Sequence, residues 1–311
     1  MRRIFIFGLG YTAGRIAAAL EAQGWEAIST GRDGTLRFDD SSNVRLALAD
    51  ASHILSSVPP EGTGCDPVLD HYGDALGGKA LVYLSSTGVY GDAQGAWVDE
   101  TAPTGTGRRT ARAEADAEWL KLGARVLRLP GIYGPGRSAL ERVESGAARR
   151  IAIADQVFSR VHVDDIVSAA TLALNAPAGA YNIADDAPCS QNEVIEHACR
   201  LLGQPLPPLQ TLEEANLSPM AQAFYGENRR VANGKAKRVA GLAAALSQLP
   251  RRLSCLSCGP IAQSAFLPWP AWRLHLPAPT SHSLRTRSKA PLLPPAPPLR
   301  YRPPAPGPNH G

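Results

Sequence analysis

The chain opens with a short apolar run, Ile4–Phe7, then a glycine-bearing step, then TAGRIAAALEAQG, in which apolar residues recur every three to four positions. A continuous apolar run followed by that period predicts a buried strand leading into an amphipathic helix. Strand character returns in the same rhythm at Trp25–Ser29, Leu36–Phe38, His53–Val58, Ala80–Ser85 and Val126–Leu129. Strands alternating with helices predict an α/β architecture: a doubly wound parallel sheet with helices on both faces. From about Ile151 the pattern loosens into short strands and loops, then a helix near Gln191–Leu202. That predicts a smaller C-terminal subdomain over the carboxyl ends of the strands, where open α/β sheets bind ligands.

Past Gly241 the character changes. From Pro250 onward lie 15 of the 27 prolines, among Ser, Arg and Leu, ending in PLLPPAPPLRYRPPAPGPNHG. Prolines remove backbone donors and the stretch has no periodicity, so residues 242–311 are expected to be a disordered tail. The formal charge of +4 averages two unlike regions. No acid follows Glu227, and residues 242–311 hold eight Arg and Lys, which leaves 24 basic and 28 acidic residues, about −4, for residues 1–241. A mildly acidic body gives no support to nucleic-acid binding. Loss of acids with a rise in Pro, Arg and Ser is also what out-of-frame translation of a GC-rich gene produces, so a frameshift near residues 240–245 is one origin for the tail.

No apolar run approaches the roughly 18 residues of a membrane-spanning helix. The start, MRRIFIFGLG, has two arginines ahead of an apolar stretch, as a secretory signal does, but Gly8 and Gly10 break it and a first strand is the better reading. A cytoplasmic location is the expectation. Five cysteines are too sparse for a disulfide framework, and the CxxC at Cys255 and Cys258 has no second pair to complete a metal site.

The chemistry begins at FGLGYTAGRIA. Gly8 suits a tight turn out of the strand, and Gly10 lets a pyrophosphate approach the backbone. Ala13 and Gly14 are small enough for helix to pack closely on strand. The helix N-terminus then offers free N–H groups to phosphates. This is the dinucleotide signature of a Rossmann fold. About twenty residues on, where an NAD site usually carries an acid, stands Thr30-Gly31-Arg32. Arg32 suits a 2′-phosphate and Thr30 can hydrogen-bond it, so NADP is expected, while Asp33 keeps NAD open. Asp39 fits equally an adenine-side cap after a third strand and a solvated turn. The domains follow: 1–150 an NAD(P)-binding core, 151–241 a substrate-side subdomain with segments returning to the core, and 242–311 the tail.

With YLSSTGVYG at 83–91, VDETAP at 98–103, LRLPGIYGPGR at 127–137, SRVHVDDIV at 159–167 and AYNIADDAP at 180–188, the chain resembles the short-chain dehydrogenase/reductase superfamily in its extended, epimerase/dehydratase-like branch. Within it, the chain is similar to an atypical YeeZ-like subgroup, over about residues 3–241. The resemblance implies that Gly8, Gly10, Ala13 and Gly14 hold the pyrophosphate and Arg32 the 2′-phosphate. Ser57, Val58 and Pro59 would pass beside the adenine ribose or pyrophosphate at the end of a fourth strand. Ser85 belongs to the cofactor side. Ser86, four residues before Tyr90, stands where the family carries its catalytic Ser or Thr. Pro130, Ile132 and Tyr133 would line the nicotinamide face. His162, Asp164 and Asp165 fall in a segment that is mainly structural in relatives, the acids closing a helix start.

The family's proton-transfer pair, a tyrosine with a lysine four residues on, is absent. No Tyr lies between Tyr90 and Tyr133, and no Tyr in the chain has a Lys four residues later. The helix GRRTARAEADAEWLKL stands in its place; of Arg108, Arg109 and Arg112, Arg112 is expected to face inward. One expectation is therefore an NAD(P)-dependent oxidoreductase or epimerase/dehydratase-like enzyme in which Ser86 polarises a carbonyl and Tyr90 or Tyr133 supplies the proton. Its substrate would be a small molecule, a nucleotide sugar or another carbonyl or hydroxyl compound. The other is a sensor that binds NADP(H) without turnover.

Overall fold

The structure, a computed structural model, describes residues 2–61, 66–107 and 110–239. The tail from 242, both tail cysteines, and Arg108 and Arg109 lie outside the described residues. The chain runs β1 (Arg2–Phe7), α1 (Tyr11–Glu21), β2 (Trp25–Ser29), α2 (Ser41–Asp50), β3 (His53–Ser56), α3 (Pro67–Tyr72), β4 (Ala80–Ser86), β5 (Trp97–Val98), α4 (Thr110–Lys121) and β6 (Arg125–Leu129). It continues through β7 (Gly131–Tyr133), α5 (Ala139–Glu144), β8 (Arg150–Ile151), β9 (Arg160–His162), α6 (Val163–Ala173), β10 (Gly179–Asn182) and α7 (Gln191–Leu202). Last come β11 (Leu209–Gln210), α8 (Pro219–Phe224), β12 (Arg230–Val231) and α9 (Gly234–Val239).

Six strands form one parallel sheet in the order β10-β6-β4-β3-β1-β2. Strand alternation divides the core between its faces. Ile4 and Ile6 of β1 join α1 and α6 through Ile16, Leu20, Ile166 and Ala169 on one side. Phe5 and Phe7 join α2, α3 and α4 through Leu48, Tyr72 and Trp119 on the other. Both faces are covered, so the strands read as near-continuous apolar runs. The strand order reverses between β1 and β3, and the crevice outside their carboxyl ends is the ligand position of doubly wound sheets.

Leu36–Phe38 does not form a strand; a single bridge joins Thr30 to Leu36. Asp40 takes the following residues into α2 instead, accepting the Asn43 amide as N-cap. Phe38 packs edge-on against Phe7 and Tyr72. Ser57–Pro59 therefore follow the third strand of the sheet rather than a fourth. Asp39 is paired with Arg37 at the surface.

Beyond β6, α5 and α7 enclose a separate apolar cluster around Tyr133, Leu140, Ile195 and Cys199. Segments return to the first half: β12 pairs with β5, and Lys235 of α9 donates to the Ala180 carbonyl of β10. Among the described residues, no helix is long and apolar enough to cross a membrane.

One buried polar network ties these parts together. Arg128 of β6 grips Asp116 of α4 through two nitrogens, at 2.7 and 3.1 Å. The side chains are only 4% and 1% exposed. Asp116 also accepts the Ser85 hydroxyl, and Arg128 donates to the Tyr90 oxygen, which in turn donates to Asn182. Removing one partner of such a pair strands the other charge in the core. Arg128→Leu is expected to lower unfolding free energy by about 3–5 kcal/mol in urea titrations, with the Asp116→Leu/Arg128→Leu double variant recovering part of the loss. Additive losses would contradict a coupled pair.

Candidate functional site

The first turn is built by contacts from two neighbouring strand ends. Gly8 stands at φ +82°, and a Cβ there would press on the Ser57 hydroxyl and the Val58 side chain at 3.0 Å. The Thr30 carbonyl at the end of β2 accepts the amides of Gly8 and Leu9. The Ser57 hydroxyl after β3 donates to the Gly8 carbonyl. Gly31, at φ +136°, allows this approach, since its Cβ would lie 2.8 Å from the Leu9 nitrogen. Thr30 is 1% exposed and its side-chain oxygen also faces the Gly8 amide. It serves the turn rather than facing a phosphate.

Gly10 is the N-cap of α1 and provides no side-chain cap. The helix thus begins with unsatisfied amides and a partial positive charge, as an anion-accepting helix start does. Nothing lies within 4 Å of where a Cβ of Gly10 or Gly14 would stand. Helix-to-sheet packing falls on Ala13, 1% exposed, and Gly14 faces open space. In front of this start lies a cavity of about 330 Å³. It brings together Gly10, Ala13, Ser57, Ser85, Ser86, Pro130 and Ile132, all expected from the sequence, with Tyr11, Arg112 and Arg137 beside them. Gly8 and Val58 support it from behind, while Pro59 is exposed. Arg32, at the end of β2, is exposed and has no ion-pair partner among the described residues.

The two serines differ. Ser85 is 5% exposed and gives its proton to Asp116 at 2.6 Å. Ser86 accepts the Gly88 amide, which leaves its own proton free. Arg112 does turn inward, donating to Tyr83. Burial pushes the Tyr83 phenol up to about 12, against the lowering charge of Arg112. Tyr90 lines neither large cavity near the turn; Arg128 and Asn182 hold its hydroxyl, and burial raises its pKa despite the Arg128 charge. Tyr133 is buried, meets His162 edge-on, and lines a second cavity. His162 caps α6 by accepting the Asp164 amide, and Asp164 and Asp165 occupy the first turn, as the sequence suggested.

The second cavity, of about 190 Å³, lies between β7, α5, β9 and α7 and shares Ile132 and Arg137 with the first. Its charged lining is Arg137, Arg142 and Arg160, with no acid. A small neighbouring hollow of about 40 Å³ carries Thr87, Pro130 and Glu227, the last paired with Arg229 at 2.8 Å. Among the described residues, Glu227 is the one carboxylate lining these three spaces. Sequence reasoning passed over Glu227 and all three arginines, because they sit far apart in the chain with no shared motif. Arg137 closes YGPGR; its guanidinium lies 4.2 Å from the Tyr11 ring centroid, and the Tyr11 hydroxyl donates to the Pro135 carbonyl, so both tie this segment back to the glycine turn. Among the described residues no group of His, Cys, Asp and Glu is arranged to hold a metal ion.

Behind Arg160 sits Asp185, 2% exposed, and burial pushes its carboxyl up to about 7, against the Arg160 charge and the Ala187 amide, with Asp186 and Asp165 adding to the rise.

No protein-family model matches the chain. Protein YeeZ of Escherichia coli strain K12 is 30% identical over 236 residues, covering 65% of this chain and 85% of that protein. A functionally unknown conserved protein from Silicibacter pomeroyi superposes with a TM-score of 0.73 at 37% identity, over 82% of this chain and 98% of its own. The dTDP-glucose 4,6-dehydratase of Bacillus anthracis, solved in complex with NAD, shares the fold at a TM-score of 0.67 and 16% identity, over 83% and 96% of the two chains.

The Asp185 environment has a measurable consequence. Below about pH 4 both folded and unfolded chains carry the proton; between about pH 4 and 7 the unfolded carboxyl ionises while the folded one resists, so stability falls as pH rises. Asp185→Asn removes this cost. Relative to wild type, the variant's unfolding free energy from urea titrations is expected to gain on the order of 1–3 kcal/mol between pH 4.5 and pH 8. An unchanged difference across that range would show that Asp185 ionises freely.

Proposed function

The chain belongs to the YeeZ-like subgroup of the extended, epimerase/dehydratase-type short-chain dehydrogenases/reductases, and from that premise we propose that it binds NADP(H) and acts as an oxidoreductase or epimerase/dehydratase-type enzyme on a small carbonyl or hydroxyl compound. The observation that carries this reading is the uncapped start of α1 at Gly10, facing a cavity of about 330 Å³ with open space beside the glycine. The donor set fits a pyrophosphate, so the residues present suit the cofactor.

The roles follow from the groups. Amides at the start of α1 would receive the pyrophosphate, with Gly10 admitting it and Gly8, Ala13 and Gly14 forming the turn and first helical residues behind it. Arg32, unpaired at the end of β2, is suited to the 2′-phosphate. Ser57, Val58 and Pro59 border the ribose side; Ser85, Pro130 and Ile132 border the nicotinamide side. A bound nicotinamide supplies hydride chemistry. Ser86, with its proton free, is the group able to donate a hydrogen bond to a substrate oxygen. Tyr133 lines the substrate side. Arg112 brings a guanidinium to the same space. The related fold of a dTDP-glucose dehydratase keeps a nucleotide sugar among the substrates considered. The absence of Tyr-x-x-x-Lys favours a second reading, an NADP(H) sensor without turnover.

Titration of the full chain with NADPH and NADH, followed by nicotinamide fluorescence, tests the cofactor claim. NADPH is expected to bind more tightly, and Arg32→Glu to weaken NADPH about tenfold or more while leaving NADH within about threefold. Equal loss for both would remove Arg32 from the 2′-phosphate. Where NADPH turnover is found on a carbonyl panel, Ser86→Ala is expected to lower kcat by about 10²-fold with NADPH affinity retained. Tight NADPH binding with no turnover on any substrate would favour the sensor.

A further inference from the structure

The second cavity does not look like a space for a neutral sugar. Arg160 is 8% exposed, and its guanidinium donates to the Phe158, Cys189 and Ser190 carbonyls, to the Cys189 sulfur and to the Gln191 side chain. Every partner is neutral. Those bonds engage both terminal nitrogens and fix its position, tying β9 to the start of α7, but none reaches a carboxylate; Asp185 acts on its charge only from beyond contact. Buried charges are ordinarily paired. Arg137 and Arg142 line the same space, and among the described residues none of the three guanidiniums lies within ion-pair distance of a carboxylate. Arg160, the buried one of the three, is screened least, and the solvent-exposed Arg137 and Arg142 add charge of the same sign. A structural clamp alone would explain the bonds of Arg160, yet it would not explain why the space it borders is lined by two more guanidiniums, the exposed Arg137 and Arg142, and by no carboxylate.

Size narrows the ligand. The cavity measures about 190 Å³, below the roughly 300–1,000 Å³ of sites that enclose drug-sized molecules. We propose that this cavity binds a compact oxyanion, the phosphate or carboxylate of a small non-nucleotide substrate, on Arg137, Arg142 and Arg160. The anion would anchor the substrate with its remaining atoms toward Ile132, which borders both cavities. The inference rests on the reading above only in taking the first cavity as the cofactor's and the second as the substrate's.

Thermal unfolding of the full chain at constant ionic strength provides the test, with sodium chloride, inorganic phosphate, acetate and UDP-glucose as probes. Phosphate is expected to raise Tm saturably above chloride; a matching response to acetate would extend the site to carboxylates. Inorganic phosphate also suits the start of α1, so Arg142→Gln, which alters the second cavity alone, assigns the effect. It is expected to weaken the phosphate response about tenfold while leaving NADPH affinity within about twofold. Arg160→Gln should do the same where it folds. A phosphate response that is absent, or identical in Arg142→Gln, would overturn the proposal. So would UDP-glucose binding far more tightly than phosphate in an Arg142-dependent way, because the cavity would then serve a nucleotide diphosphate. Failure of NADPH to bind while the Arg142-dependent phosphate response persists would sink the cofactor reading and leave this one standing.

Discussion

The turn between β1 and α1 is clasped from both sides, by the Thr30 carbonyl at the end of β2 and by the Ser57 hydroxyl after β3. That clasp is possible because Gly8 and Gly31 both adopt positive φ and have no Cβ to fend off their neighbours. With the turn fixed, α1 starts where its uncapped amides meet the crevice at the strand-order reversal. The cavity before α1 and the proposed phosphate-side groups take their positions from this one contact between three strand ends. A side chain at Gly31 would displace the turn and with it the helix start.

A second constraint works at the other edge of the cavity. The buried face of α4 presents Asp116 to Arg128 and Ser85. The polar network secures the sheet, and Tyr90 is absorbed into it. A phenol that donates to Asn182, accepts from Arg128 and has its pKa raised by burial is organised for stability. Proton transfer requires the reverse, a pKa drawn toward neutrality. Ser86, Tyr133 and Glu227 instead line the spaces around the junction.

Much of the sheet was legible because strand and helix periods are local. Ile4–Phe7 and the apolar spacing of α1 identify themselves, and the helix expected near Gln191–Leu202 spans those residues, opened by a Ser190–Glu193 capping box. Leu36–Phe38 misled for the same reason: three residues of strand character say nothing of Asp40, whose capping starts α2 instead. Glycine and serine motifs near the cofactor cavity were readable because they are contiguous. The three arginines of the second cavity were not, since residues 137, 142 and 160 meet only through the packing of α5 and β9. Nor could spacing show that Thr30 turns to Gly8, or that Ser85 gives its proton to Asp116 while Ser86 only accepts the Gly88 amide.

The central claim is that the start of α1 is a dinucleotide site. Hydrogen exchange on the full chain, with and without saturating NADPH, addresses it without needing a substrate. Added protection is expected at the amides of Gly10–Ala13, with a smaller effect at Ser57–Val58 and little change in α7. NADPH binding that protects other segments and leaves Gly10–Ala13 unchanged would contradict the account.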